Sequence, residues 1–136
     1  MRNIFLILTI LTIGALTNAS AGQGIQKFSI KKALKDTRAN ANLDHRIRLS
    51  FGKRGAGREW TAIRRTMRFG RSAEEACNRA FLSAVIALQD RAKKQGKRSV
   101  VGIYSYHKKR VYSSSSKFMC EDGNMMSAVT LRGKVR

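Results

Sequence analysis

A chain of 136 residues suffices for one domain around a single core, and 28 Lys and Arg against 8 Asp and Glu set its net charge at +20. Such a surface attracts polyanions (nucleic acid, anionic lipid headgroups, phosphorylated glycolipids) without choosing among them, and a generally basic proteome is the alternative source of the charge. Two cysteines and two histidines lie far apart in the chain and match no compact metal-ligand spacing, so neither a metal nor a cofactor is expected.

The first 21 residues have the three-part order of a secretory signal peptide: Arg2, the apolar run Ile4 to Leu16, then Ala19-Ser20-Ala21 as an Ala-x-Ala site that places cleavage before Gly22. The apolar run is 13 residues long, and roughly 18–20 are needed to span a bilayer. No second run reads as a transmembrane helix. No cysteine precedes Cys77, which excludes a lipidated N-terminus. The expected product is residues 22–136, one basic domain with 27 cationic and 8 acidic side chains and a net charge of +19, in a bacterial protein that is periplasmic or secreted.

Along that domain, Gly22 to Lys27 reads as loose. Phe28-Ser29-Ile30 reads as a short strand entering a helix from Lys31 to about Asn40, with Ala33 and Leu34 inward. His45 to Phe51 alternates polar and apolar, the period of a half-buried strand with Ile47, Leu49 and Phe51 toward the core. Gly52, Gly55 and Gly57 make a basic turn, and Trp60 to Phe69 returns as the second strand of a hairpin. Ser72-Ala73-Glu74-Glu75 is a capping box. It opens a helix to Gln95 that Gly96 closes in the left-handed conformation. Cys77, Phe81, Ala84, Leu88 and Ala92 form its buried stripe, widened by Ala76, Ala80 and Ala87. Three strands follow: Ser99 to Tyr106, a run ending near Cys120, and Met125 to Val135, which turns Ser127, Val129, Leu131 and Val135 to one side. The fold class these elements predict is α+β, one long helix on an antiparallel sheet of about four to five strands.

In an oxidising compartment the even pair Cys77 and Cys120 reads as one disulfide. It would close a loop of about 44 residues and staple helix to sheet, stabilising by roughly 4 kcal/mol in the chain-entropy model. The densest accessible charge lies in two turns, Lys53-Arg54 with Arg58, and Lys108-Lys109-Arg110. These are the candidate polyanion-binding residues. Tyr104, Tyr106 and Tyr112 flank the second turn, and three readings fit that arrangement: a single-stranded nucleic acid held by cations beside aromatic rings, an anionic membrane surface, or strand tyrosines next to a solvated turn. The candidates for a hydrolytic site are His45, His107, Asp44, Glu59, Glu121 and Asp122, which would have to converge. Glu121-Asp122-Gly123-Asn124 lacks the spaced carboxylates of a calcium loop and reads as a turn.

The stretches EEACNRAFLSAVIALQDRAKKQGKRSVVGIYSYHKK and FMCEDGNMMSAVTLRGKV, with LDHRIRLSFG before them, resemble a group of small bacterial periplasmic proteins often labelled "excinuclease ATPase subunit". More remotely, the alanine-rich helix, its glycine-closed turn and the strands after it are similar to the envelope stress sensor RcsF and to the YbjQ-like family. The resemblance implies a small α+β protein of the cell envelope. The ATPase in that label does not fit the residues: Gly52 to Gly57 has no Gly-Lys-Ser/Thr to wrap phosphates and hold magnesium. The function expected is therefore non-enzymatic, an exported envelope protein whose basic surface binds anionic envelope components or a partner protein, with a secreted nucleic-acid-binding module as the alternative.

Overall fold

The computed structural model describes residues 24–36 and 41–136; the expected signal peptide lies outside them, and the first expected helix is shorter than its sequence suggests, running Ile30–Leu34 with Lys35 as its C-cap. The long helix, α2 (Ala73–Lys94), has the signals of its sequence at both ends. Ser72 Oγ accepts from the Glu75 N–H at 3.1 Å, while the Glu75 carboxylate turns to Arg79 one turn on (3.4 Å). Glu74 and Glu75 occupy the first turn and Arg91, Lys93 and Lys94 the last, the polarity the helix dipole favours. Gly96, at φ +64°, ends it. The stripe from Cys77 through Phe81, Ala84 and Leu88 to Ala92 is fully buried against the strands β3 (Trp60–Met67) and β7 (Met126–Val135). At Gly133 a Cβ would press on Val100 Cγ1 and Ile103 Cγ1 of the neighbouring strand at 3.1 and 3.2 Å, with Leu88 of the helix at 3.6 Å, so glycine lets that strand pack close.

The remaining elements are β1 (Gly24–Ser29), α1 (Ile30–Leu34), β2 (Arg48–Phe51), β4 (Ser99–His107), β5 (Arg110–Tyr112) and β6 (Lys117–Asp122). β7 is the spine of the sheet. One of its edges pairs with β3 along the whole strand, from Trp60↔Gly133 to Met67↔Met126. The other edge is shared: β6 takes its beginning (Asp122↔Ser127) and β4 its end (Ser105↔Leu131 to Val100↔Val135). Where β4 and β6 diverge, the Met119 N–H donates to Ser105 Oγ (2.9 Å), which satisfies a buried donor that the fork leaves without a ladder partner. β1 extends the sheet beyond β6, β5 folds back on β4 as a hairpin, and β2 runs parallel to β4.

The fold is thus α+β, one long helix on one sheet, but the sheet has seven strands and is mixed rather than antiparallel. Two expectations are corrected by the pairing. Residues 24–27 belong to β1, held by main-chain bonds to β6 and by Phe28 packed on Phe118, ring centroids 6.1 Å apart. β2 and β3 form no hairpin. The segment between them crosses the sheet face opposite α2: Gly52 N–H donates to the Ile103 carbonyl (2.7 Å), and Lys134 Nζ donates to the carbonyls of Arg54 and Gly55. Gly102, at φ +63° in a bulge of β4, leaves that crossing its room, since a Cβ there would press on Arg54 N at 3.3 Å. β2 therefore reaches β4 only after β3 and α2 have intervened, and a parallel pair needs a crossover of that length.

Cys77 in the first turns of α2 and Cys120 on β6 are bonded, S–S 2.06 Å. Phe118, two residues from Cys120 on the same strand, stacks on Phe81 at 4.2 Å, so the bridge and the aromatic stack fix the same corner of the core. A disulfide fits an oxidising compartment. Among the described residues no helix is long and apolar enough to cross a membrane.

Candidate anion-binding surface

The crossing segment and the β4–β5 turn carry the two basic clusters read from the sequence. Lys53 N–H donates to Ser113 Oγ (2.7 Å), immediately after β5, so the first cluster reaches the strand that the second one opens. Lys53 Nζ lies 5.2 Å from the Tyr104 ring centroid, and the Arg54 side chain is on an exposed residue whose own carbonyl is held by Lys134. Arg58 covers the Trp60 ring at 4.3 Å while Arg91 of α2 approaches the same ring at 4.0 Å.

In the second cluster, Lys108 and Lys109 are the two central residues of a tight hairpin between the paired His107 and Arg110. Both have positive φ, +45° and +65°. Such a two-residue turn favours Asn-Gly, because a Cβ makes the left-handed region costly. Lys108 Nζ lies 3.6 Å from Glu121 and His107 Nδ1 3.5 Å from the other oxygen of the same carboxylate; Lys109 and Arg110 are exposed.

The tyrosines beside these clusters are occupied. Lys53 sits over Tyr104, Arg132 over Tyr106 at 3.7 Å, and Lys27 over Tyr112 at 4.3 Å. Tyr104 is also buried, and its hydroxyl donates to Glu59 Oε2. Burial, with that carboxylate beside it, pushes the Tyr104 phenol up from its ordinary value. The cation-and-aromatic pattern is realised as internal cation–π pairs, each using a ring face on which a base would have to stack.

Of the hydrolytic candidates the fold brings His107 and Glu121 together (3.5 Å), and the others converge on no common site. Asp44 accepts from Arg46 (side chain and N–H) and lies 3.1 Å from Lys93; the Arg46 side chain first, its N–H second and Lys93 third hold the carboxyl well below the usual carboxylate range. Glu59 is with Tyr104, Glu121 with His107 and Lys108. Asp122 is buried between Ser127 Oγ (2.6 Å) and the Arg68 guanidinium (2.9 Å), and His45 is exposed. Among the described residues no three or more His, Cys, Asp or Glu come together as a metal cluster.

The sequence reading did not anticipate a third cationic site. A cleft of about 220 Å³ between α2 and β3 is lined by Trp60, Arg64, Arg91 and Lys94, with Asp90 at its rim. Its signal was present: Trp60, Ala62 and Arg64 share a strand face by period two, and Arg91 and Lys94 are three apart on the helix. Arg132 and Lys134, alternate residues of β7, add two cations to the face the crossing segment covers. Comparison with protein-family models, with curated proteins and with solved structures finds no match to the chain.

Proposed function

We propose that this is an exported, non-catalytic protein of the bacterial envelope that binds anionic envelope material through the cations at the β4–β5 turn and the crossing segment. The leader-like N-terminal sequence and the Cys77–Cys120 bridge support export. One observation carries the binding reading: Lys108 and Lys109 both occupy left-handed positions, where a lysine costs about 1 kcal/mol relative to glycine or asparagine. A turn selected for stability alone would be Asn-Gly; this one keeps two cations at a conformational cost, and strain of that kind collects at functional sites. The acids do not cancel the field, because 28 Lys and Arg stand against 8 Asp and Glu; at the turn itself Glu121 offsets part of the Lys108 charge and leaves Lys109 and Arg110 exposed.

The test follows from the turn chemistry. Replacing Lys108→Asn together with Lys109→Gly should leave the fold as stable or more stable by roughly 1 kcal/mol. The same variant should reduce the slope of log affinity against log salt on duplex DNA, a model polyanion, by about 2. An unchanged slope with binding intact would show that the turn is only a solvated hairpin. Binding to DNA far stronger than to anionic vesicles at equal salt would favour a secreted nucleic-acid-binding module instead.

A further inference from the structure

We infer that one end of the molecule, where the β3–α2 connection meets the β6–β7 turn, is a membrane-docking tip that enters the headgroup layer of an anionic phospholipid bilayer. The end is apolar where a soluble surface has least reason to be. Phe69 is 91% exposed and Met125 74%, and Met67 and Met126, direct partners across β3 and β7, are 51% and 42% exposed. The two turns are tied into one unit, since the Arg68 N–H donates to the Met125 carbonyl at 2.8 Å. A solvent-facing cluster of this kind marks an interaction site. It is built from two adjoining turns, whose exposed Phe69 and Met125 side chains a fluid medium can receive.

Cations surround it in the arrangement a bilayer favours, apolar side chains at the point and positive charge set back toward the phosphates. Arg65 lies on β3 between Ile63 and Met67 on the same strand face, with exposed Arg64 beside it. Arg68 is turned inward to Asp122, which makes it structural. On the far side, Glu121, the partner of Lys108, stands two residues before Gly123 and the turn that carries Met125, so the Lys108-Lys109-Arg110 hairpin flanks the same end. β1 starts there too, Gly24 being the register partner of Asp122. Methionine suits such a tip because its unbranched thioether adapts to an irregular apolar surrounding.

The electrostatic half of this inference rests on the polyanion reading above, and the experiment separates the two. The mature chain, residues 22–136, and its Phe69→Ser, Met125→Ser double variant are compared in binding to mixed phosphatidylglycerol–phosphatidylcholine vesicles, to pure phosphatidylcholine vesicles, and to duplex DNA. Both residues are exposed, so the melting temperature should not move. The double variant should bind the anionic vesicles at least about tenfold more weakly, as expected when apolar side chains no longer leave water, with its affinity for DNA and its salt slope unchanged. Equal vesicle binding by the two proteins would overturn the tip while leaving the polyanion reading standing, and an equal loss on DNA would overturn it as a general charge or folding effect. A wild-type protein that binds DNA but ignores anionic vesicles would assign the apolar end to a partner protein with a receptive pocket, and binding to neither overturns both readings.

Discussion

Gln89 is buried on α2, and its side-chain amide meets the backbone that leads into β2. Oε1 accepts from the Asp44 N–H (3.0 Å) and Nε2 donates to the Asp44 and Ile47 carbonyls (3.0 and 3.3 Å). A helix glutamine between Leu88 and Asp90 reads as surface in the sequence, because nothing local reveals that unpaired carbonyls will arrive from 42 to 45 residues away. Asp44, in the same turn, titrates in a predictable direction. Its folded-state value is depressed by Arg46 and Lys93, so its contribution is present above the unfolded carboxylate value, about 4, and fades as the pH falls below that. Asp44→Asn keeps an oxygen for the Arg46 N–H and removes only the charge. It should melt at a lower temperature than wild type between pH 6 and 8, by a constant margin, and the margin should narrow as the pH is taken below about 4. A margin independent of pH through the acid range would show that the ion pairs do not stabilise the fold.

At the scale of elements, the legible ones announce themselves within their own residues. α2 has its cap, its stripe and its terminal glycine; β7 has strict alternation; the Cys77–Cys120 pairing follows from there being two cysteines and one bridge. What was not legible is who pairs with whom. The alternating run ending at Phe51 and the run from Trp60 look like neighbours in a hairpin, yet β2 finds β4 and β3 finds β7, because the glycine-rich segment between them is anchored across the sheet by Lys134 instead of reversing. The strand expected at Phe28 begins four residues earlier, at Gly24, for a related reason: the hold of those residues on β6 is mainly backbone, and backbone edges have no sequence signature. The disulfide gives the sharpest test here. Replacing Cys77 and Cys120 with alanine should lower stability by about 3–4 kcal/mol in the chain-entropy model, measured as a lower urea midpoint. A reduced wild type should match the variant, whereas a reduced protein as stable as the oxidised one would mean that the Phe81–Phe118 stack alone holds that corner.

For the whole molecule, the basic turns of the site were visible as local clusters. The cleft cations Arg64 and Arg91 and the face cations Arg132 and Lys134 were not, since they converge only when helix and strands come together. That convergence depends on β7, which pairs with β3, β4 and β6 and lies under α2. Truncation after Ala128 removes the part of β7 that β4 requires and most of what β3 requires. The shortened chain should show no cooperative thermal transition by circular dichroism, and a sharp transition would mean that the other strands form a sheet without their spine. The position of β7 has a consequence in time as well. It follows every other described strand in sequence, so a chain delivered N-terminus first, from a ribosome or through a secretion channel, offers β3 no strand partner, and β4 only β2 and the short β5, until β7 emerges. Most of its contacts are distant in sequence, which slows folding further. A protein wired in this order stays threadable while it is being threaded, and Cys77 waits as a thiol until Cys120 arrives with the same late segment.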